Sequence, residues 1–413
     1  MRPPVGLMEA VYAGSTVILT GATGFLGKVV LEKILYSLRS VKKIILLIRP
    51  RGETTPEERL QNEVLSWACF DRCRRDVPGF EAALQVVGGD ASHRSFGVDE
   101  QTEAMLLREV DWIINCAANV EFGEPLKKIV NDNVVSALNV LEFAGRCERL
   151  RGMVHVSTAY VNANKPGQVQ ESIYRQWYHD NPEELFEWIL RTDSDHIQAV
   201  LPSILCGMPN TYTFSKQLAE ILLSTKKGNV PLAIVRPTCV GASYREPYAG
   251  WIDKVGAGAT LFLASGLGML SILQGNPDGV GDQIPVDIVA NVILCAPLRL
   301  TQEPSQLHIF HSSSRCVCRP AIRPAAACLW GRARPRSSSA YSSARRLQYA
   351  ESDHLGIRAN HCVQILWDTW ADAAEREDAA EVHSHGAEMH ICARVPDAVR
   401  WASQALPGVR QGQ

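Results

Sequence analysis

The stretch STVILTGATGFLGKVVLEKILYSL, from Ser15 to Leu38, decides the fold. Its first residues form an apolar run that predicts a buried strand, and the apolar residues after Gly27 recur at the 3.6-residue spacing of a helix. Gly21, Gly24 and Gly27 stand between the two elements. In such a turn the first glycine permits the tight bend, the second lets the backbone approach a pyrophosphate, and the third lets the helix pack closely on the strand. The sequence therefore predicts a dinucleotide site, and we expect its other contacts in this turn to come from Thr23, Phe25 and Leu26.

The second predicted strand indicates which dinucleotide is bound. The run KKIILLIRPRG ends this strand at Ile48 and follows it with Arg49 and Arg51. Folds that select NAD place an acid here for the ribose 2′-hydroxyl, whereas an arginine accommodates the 2′-phosphate of NADP. Arg49 therefore favours NADPH as the cofactor, and the alternative is a solvated basic loop.

Further apolar runs alternate with helical segments along the chain. These runs are LQVVGGD closing on Asp90, VDWIINCAA closing on Ala118, GMVHVSTAY and PLAIVRP. Such alternation predicts an α/β fold with a doubly wound parallel sheet, in which ligands bind outside the carboxyl ends of the strands. We therefore expect Asp90, Ala117 and Ala118 at the cofactor, and the Ser157–Thr158 hydroxyls close by.

The segment TYTFSKQLAE, from Thr211 to Glu220, sets Tyr212 four residues before Lys216 at the start of a predicted helix. That spacing places both side chains on one helical face. Tyrosine has a pKa near ~10 and donates a proton poorly at neutral pH unless a nearby cation stabilises its phenolate. The pattern predicts a catalytic pair, although an exposed surface pair would have the same spacing.

Composition sets broad limits on function. The 413 residues carry a formal net charge of −2, which gives no overall attraction to nucleic acid, and the chain is long enough for one large α/β domain. The twelve cysteines are scattered and the N-terminus lacks the apolar core of a signal peptide, which together indicate an intracellular protein with structural thiols. Val255 to Pro277 contains no charged residue; we expect a buried or substrate-lining segment, the alternative being a membrane span.

Several blocks together resemble the fatty acyl-CoA reductase family, also called male-sterility-type reductases, within the extended short-chain dehydrogenase/reductase superfamily. They are VILTGATGFLGKVVLEKIL, IILLIRP, HVSTAYVN, NTYTFSKQLAE, IVRPTCVGASYREPYAGWID and IPVDIVAN. The resemblance covers about Ser15 to Ser312. It implies NADPH-dependent reduction of a long-chain acyl-CoA, through an aldehyde, to a primary alcohol.

The resemblance also implies roles for individual residues. Thr158 would hydrogen-bond the substrate carbonyl oxygen, Tyr212 would donate the proton, and Lys216 would hold the nicotinamide ribose and lower the tyrosine pKa. Ser157 is the less favoured hydroxyl, because the family's usual one stands second in such a pair. Residues 168–209 and about 240–290 would be insertions forming a smaller substrate lobe, the first of them roofing the site. Family members act at peroxisomal or endoplasmic-reticulum membranes, so peripheral membrane contact is expected.

Beyond about Ser312 the resemblance stops. Residues 313–350 contain eight arginines and no acid, and no hydrophobic anchor follows, so 313–413 is expected to be an atypical, disordered tail. Its His383, His385, His390 and Cys392 are not expected to form a metal site. Two alternatives stay open for residues 1–312: a nucleotide-sugar or sterol dehydrogenase or epimerase, and a relative that binds NADP(H) but is catalytically inactive.

Overall fold

The computed structural model describes residues 7–175, 180–253, 258–267, 269–270 and 281–314. The chain divides into two compact units. The larger unit comprises Met1–Thr238 and Val286–Ser312, and the smaller unit takes in Cys239–Pro285.

The strands in chain order are β1 (Thr16–Thr20), β2 (Lys43–Ile48), β3 (Leu84–Gly88), β4 (Trp112–Asn115), β5 (Gly152–Val156), β6 (Leu232–Pro237), β7 (Cys239–Gly241), β8 (Gln283–Pro285) and β9 (Leu307–Ser312). Among the described residues, the larger unit forms one seven-stranded sheet in the order β3-β2-β1-β4-β5-β6-β9. Every neighbouring pair in it is parallel. The predicted doubly wound parallel sheet is confirmed.

The described α-helices are α1 (Leu7–Tyr12), α2 (Phe25–Ser37), α3 (Pro56–Arg59), α4 (Asp71–Asp76), α5 (Glu100–Glu109), α6 (Leu126–Val130), α7 (Ser136–Arg146), α8 (Pro182–Arg191), α9 (Ser194–Leu205), α10 (Thr211–Lys226), α11 (Gly258–Gly266) and α12 (Val286–Gln302). Leu60–Leu65 and Asn131–Val135 form π-helical turns. Short 3₁₀ turns lie at Ala68–Phe70, Phe80–Ala83, Arg94–Gly97 and Ala159–Asn162.

The central strands are buried along their whole length because helices cover both faces of the sheet. All five residues of β1 are buried. Alternate residues such as Ile18 and Ile113 join a core cluster with Val140 of α7 and Leu218 of α10. Helix α12 packs against α2 and against β5, β6 and β9.

Strand β1 lies between β2 and β4, which is where the chain reverses its direction of travel across the sheet. In open α/β sheets a crevice forms outside the carboxyl ends of the two strands at this switch point. Thr20 and Asn115 are the last paired residues of β1 and β4. The glycine turn that follows Thr20 therefore opens into the crevice.

Polar contacts fix helix α10 at its N-terminus and near its middle. Asn210 caps its N-terminus by accepting a hydrogen bond from the Thr213 N–H at 2.8 Å. Near the middle, Glu220 forms a fully buried ion pair with Arg236 of β6 at 2.6 Å. Arg236 also donates to the Ser172 carbonyl at 3.0 Å, so the same pair anchors the start of the predicted 168–209 insertion.

That insertion forms α8 and α9, which pack on α6, and α8 also contacts α10. Ile189 and Ile197 join the core cluster. The roofing role expected of this segment stays a prediction.

In the smaller unit β7 and β8 form a parallel pair. The intervening loop is tied by Ser243, whose hydroxyl donates to the Tyr248 carbonyl at 2.6 Å and accepts from the Trp251 N–H at 3.0 Å. Helix α11 exposes Leu261, Phe262 and Leu263. Of the two roles expected for Val255 to Pro277, burial is wrong for these three residues, and lining of the substrate site stays a prediction. No described helix is long and apolar enough to cross a membrane.

Several strand ends and the edge strand differ from the sequence prediction. Strand β3 ends at Gly88 rather than at Asp90, and β4 ends at Asn115 rather than at Ala118, because the chain turns there into the loops that line the crevice. Strand β9 was not predicted.

The His and Cys residues of 383–392, and the tail after Ser314, lie outside the described residues.

Candidate active site

The glycine turn has the shape that a dinucleotide site requires. Gly21 has a φ of +75°, and a Cβ there would stand 2.7 Å from the Ala117 nitrogen. A Cβ on Gly27 would stand 2.0 Å from the Gly21 carbonyl oxygen, so only glycine allows α2 to begin this close to β1. Gly24 is exposed, and a Cβ on it would meet only its own turn. The backbone is therefore open to an approaching pyrophosphate at the N-terminus of a 13-residue helix, and the residues present fit the cofactor.

Two of the cofactor-site residues predicted from separate strands meet beyond the end of β2. Arg49 is 64% exposed in its side chain and lies 3.5 Å from the Asp90 carboxylate. Burial alone would raise the Asp90 pKa, but hydrogen bonds from Ser92 together with the Arg49 charge lower it below its usual value. Asp90 is therefore ionised at neutral pH and holds Arg49 loosely near the crevice.

Arg51 is engaged elsewhere. Its guanidinium contacts Glu63 at 3.2 Å. The buried Arg59 binds Glu63 through two nitrogens and donates to the Arg49 carbonyl at 2.6 Å. This arrangement fixes the Arg49 backbone while leaving its guanidinium accessible.

Thr158 and Tyr212 meet at the carboxyl end of β5. The Thr158 hydroxyl lies beside the Tyr212 phenol, close enough to lower the pKa of the phenol. The same hydroxyl accepts from the Tyr160 N–H at 3.3 Å, which caps the 3₁₀ turn after it. Ser157 is also buried, but its hydroxyl has no hydrogen-bond partner in the described structure. The geometry therefore assigns the contact with the phenol to Thr158.

Lys216 lies beneath this pair. Its side chain is buried, and Nζ donates to the Val156 carbonyl of β5 at 2.9 Å. Burial lowers the Lys216 pKa to about 8, although the Glu220 charge acts against this shift. The ammonium is thus held at the strand end and titrates close to neutrality.

The pKa of Tyr212 differs from the sequence expectation. Burial raises it to about 12, and the Thr158 hydroxyl only partly offsets that effect. The expected lowering by Lys216 is wrong for this structure, because desolvation of the phenolate outweighs the other influences. At neutral pH Tyr212 is therefore a protonated phenol that can donate.

A polar ladder crosses three strands under the site. Thr20 donates to the Asn115 side chain at 2.6 Å, and the Asn115 amide nitrogen lies 3.1 Å from His155 Nδ1. Burial, with the Lys216 charge, lowers the His155 pKa well below its ordinary value, so the imidazole is neutral. Thr20 also accepts from the Ala117 N–H at 3.1 Å. The ladder therefore fixes the predicted Ala117–Ala118 segment against the glycine turn.

Residues 19–293 match the family of NAD-binding domains described as male sterility protein. This match covers more than half of the chain and includes the glycine turn, Thr158, Tyr212 and Lys216. The chain belongs to the male-sterility, or fatty acyl-CoA reductase, family. Family membership supports a nicotinamide dinucleotide as the ligand of the turn.

Curated relatives agree with that membership. The chain is 36% identical over 285 residues to fatty acyl-CoA reductase 1 of Gallus gallus, covering 69% of this chain and 55% of that protein. It is 35% identical to the Homo sapiens protein of the same name over the same shares, and 32% identical over 311 residues to fatty acyl-CoA reductase 2 of Mus musculus, covering 75% of this chain and 60% of that protein. The chain thus spans little more than half the length of these relatives.

Solved reductase domains share the fold. The terminal R domain of the myxalamid PKS-NRPS pathway has a TM-score of 0.51 at 23% identity, covering 73% of this chain and 66% of its own. The R domain of a non-ribosomal peptide synthetase from Mycobacterium tuberculosis has a TM-score of 0.54 at 20% identity, covering 88% and 80%. At these identities the similarity concerns the fold alone.

Sequence reasoning missed one cluster of this reductase-family site. Asn133, in the π-helical turn, accepts from the Asn119 N–H at 2.8 Å and donates to the Asn119 carbonyl at 2.9 Å. It also donates to the Ser215 hydroxyl at 2.9 Å, and Ser215 donates to the Tyr212 carbonyl at 2.8 Å. A buried asparagine thereby joins the loop after β4 to the first turns of α10. No local signal in the sequence marks Asn133, because Asn131 and Asp132 beside it are polar as well.

Proposed function

We propose that this protein uses NADPH to reduce a long-chain fatty acyl-CoA, through the aldehyde, to a primary alcohol and free coenzyme A. Each molecule of alcohol requires two hydrides and two protons, and the C–S bond breaks after the first reduction. When bound, NADPH supplies the hydride. The observation that carries the proposal is that the Thr158 hydroxyl, the Tyr212 phenol and the buried Lys216 ammonium lie together at the carboxyl end of β5, in a chain of the fatty acyl-CoA reductase family.

The proton chemistry falls to the chain's own side chains. The carbonyl oxygen gains negative charge as it is reduced, and a positioned acid near it contributes about 10²–10⁴-fold to the rate. Tyr212 is protonated at neutral pH because burial raises its pKa, so its Oη can donate to that oxygen. Thr158 orients the phenol and offers a hydroxyl to the same oxygen.

Lys216 has a positioning role in this proposal. Its ammonium is fixed by the Val156 carbonyl. The remaining N–H groups would bind the ribose of the cofactor. A positive charge there also stabilises the tyrosinate left after proton donation.

NADPH is proposed over NADH because of Arg49. An exposed guanidinium stands where NAD-selective folds place an acid, and its backbone is fixed by Arg59. A fixed backbone with a free guanidinium suits a 2′-phosphate, which arginine can bind through two hydrogen bonds.

Product analysis tests the proposal directly. The full chain is incubated with NADPH and a series of acyl-CoAs, and the products are identified by mass spectrometry. We expect hexadecanol and free CoA from palmitoyl-CoA. Binding of NADPH, seen by its fluorescence, without any reduced product from the series would instead favour the inactive relative.

A further inference from the structure

The loop from Asn119 to Glu124, between β4 and α6, places large apolar side chains in solvent. Phe122 is 64% exposed and Val120 is 52% exposed. Scattered exposed apolar residues are ordinary on protein surfaces, so exposure alone says little. Phe122 also has a neighbour in the proposed active site, because its ring lies 5.8 Å, centroid to centroid, from the ring of Tyr212.

Hydrogen bonds fix this loop at both ends. At its start, Asn133 binds both the N–H and the carbonyl of Asn119. At its end, the Thr211 hydroxyl donates to the Glu124 carbonyl at 2.9 Å and lies 3.4 Å from the Phe122 carbonyl. Thr211 is the residue before Tyr212, so the position of Phe122 is tied to the position of the phenol.

Any carbonyl reduced at this site must approach Tyr212 Oη to about 2.6–3.2 Å. The carbons attached to that carbonyl then enter the surroundings of the Tyr212 ring, and Phe122 is part of those surroundings, with its centroid 5.8 Å from that of Tyr212. We propose that Phe122, with Val120 beside it, forms the apolar surface that contacts the first carbons of the acyl chain. This proposal rests on the proposed function, because it names the part of an acyl-CoA that covers the loop.

Acyl carbons fit this surface better than the coenzyme A arm. The arm carries amides that need hydrogen-bond partners, and the exposed side-chain surface of Phe122 and Val120 offers none. Covering Phe122 with methylene groups removes apolar area from water at about 25 cal/mol per Å². About 50 Å² of lost contact would change affinity about tenfold, or about 1.4 kcal/mol.

The test compares Phe122→Ala with Glu121→Ala in the full chain. Glu121 is exposed in the same loop, and only its backbone N–H takes part in the loop's hydrogen bonds. Equilibrium binding of palmitoyl-CoA and of coenzyme A is measured by calorimetry with NADP⁺ present, so that no reduction occurs. We expect Phe122→Ala to weaken palmitoyl-CoA about tenfold and to leave coenzyme A and NADPH within twofold, while Glu121→Ala changes none of them.

Other outcomes overturn the proposal. An equal loss for coenzyme A would place the ring against the coenzyme arm, and an equal loss for NADPH would place it against the cofactor. Palmitoyl-CoA binding within twofold of the parent would show that the acyl chain takes another route. Phe122→Leu, which keeps an apolar side chain, should restore most of the affinity if the contact is hydrophobic.

The binding comparison and the product analysis can succeed or fail independently of each other. A parent protein that binds palmitoyl-CoA but makes no alcohol refutes the catalytic proposal, while the binding comparison still decides the role of Phe122. A parent that makes alcohol while Phe122→Ala binds palmitoyl-CoA normally refutes only the inference about the loop.

Discussion

At the scale of single residues, Tyr212 is the proton donor that we propose, and replacing its hydroxyl removes only that proton. We expect Tyr212→Phe to lower the rate of acyl-CoA reduction by about 10²–10⁴-fold or more. NADPH affinity should stay within a few-fold, because the ring and its contact with Phe122 remain. Stopped-flow consumption of NADPH measures the first quantity and fluorescence titration the second. A mutant rate within threefold of the parent would exclude Tyr212 as the acid.

Lys216 gives the site a pH dependence whose sign can be stated. Its pKa is lowered to about 8 by burial, so the ammonium is present below about pH 8 and lost above it. We expect kcat/KM of the parent to fall as pH rises through about 8. The NADPH affinity of Tyr212→Phe should fall over the same pH range, because Lys216 is intact in that variant. The lysine's contribution to stability rises between pH 8 and its unfolded pKa near ~10.4, since the unfolded chain binds more protons there. A flat profile between pH 7 and 9.5 would contradict the assignment.

Arg49 determines the choice of cofactor in our proposal. Arg49→Asp removes a partner of the 2′-phosphate and places a like charge beside it, next to Asp90. A charge-assisted hydrogen bond is worth roughly 1.5–3 kcal/mol, so the preference for NADPH over NADH should fall about ten- to a hundredfold. The ratio of the two dissociation constants measures this. Arg51→Asp serves as the matched control, because Arg51 already pairs with Glu63.

At the scale of elements, the π-helical turn Asn131–Val135 determines where the loop after β4 lies. Asn133→Ala would leave the Asn119 N–H and carbonyl without their buried partner, and such unmade hydrogen bonds cost about 1–3 kcal/mol each. We expect a melting temperature lower by about 4–8 °C, since about 1 kcal/mol corresponds to ~2–4 °C in a domain of this class. Asn139→Ala, which removes one bond to the Ala91 carbonyl, should lower it by less than half as much. Equal falls in melting temperature for the two variants would mean that Asn133 stabilises the fold no more than Asn139 does.

The sequence predicts some elements of this site well, and physical reasons explain why it misses others. The glycine turn and the Tyr212–Lys216 pair are local patterns whose spacing alone fixes their geometry. The strand end predicts both Ser157 and Thr158, and the family resemblance favours Thr158. Asn133 acts through Asn119 and Ser215, and the contact with Ser215 spans 82 positions of the chain. Phe122 is similar, because only the fold brings it to Tyr212. The edge strand β9 escaped prediction because its two histidines leave LHIFHS with neither a continuous apolar run nor a strict apolar–polar alternation.

At the scale of the whole molecule, the residues of the proposed cofactor and proton-donor sites lie in the part of the larger unit that ends at Thr238. We therefore expect a chain ending at Ser314 to bind NADPH within twofold of the full chain and to melt within ~2–4 °C of it. The truncation keeps β9, and it keeps Ser314, which binds Asp282 through its N–H and hydroxyl at 2.9 and 2.8 Å. Differential scanning calorimetry and fluorescence titration measure the two quantities. A larger drop in melting temperature would show that residues 315–413 stabilise the fold.

The pairing of β9 with β6 has a consequence for how the protein is made. Leu307 pairs with Leu232, so the second partner of β6 lies 75 positions later in the chain. On the ribosome, β6 emerges and pairs with β5, but its other edge has no partner until residue 312 has left the exit tunnel. At about 5–20 residues per second this interval lasts on the order of ten seconds. An unpaired strand edge is a template for association with other chains. While the ribosome translates residues 239–306, the β6 edge of the nascent chain is therefore exposed to association with other chains.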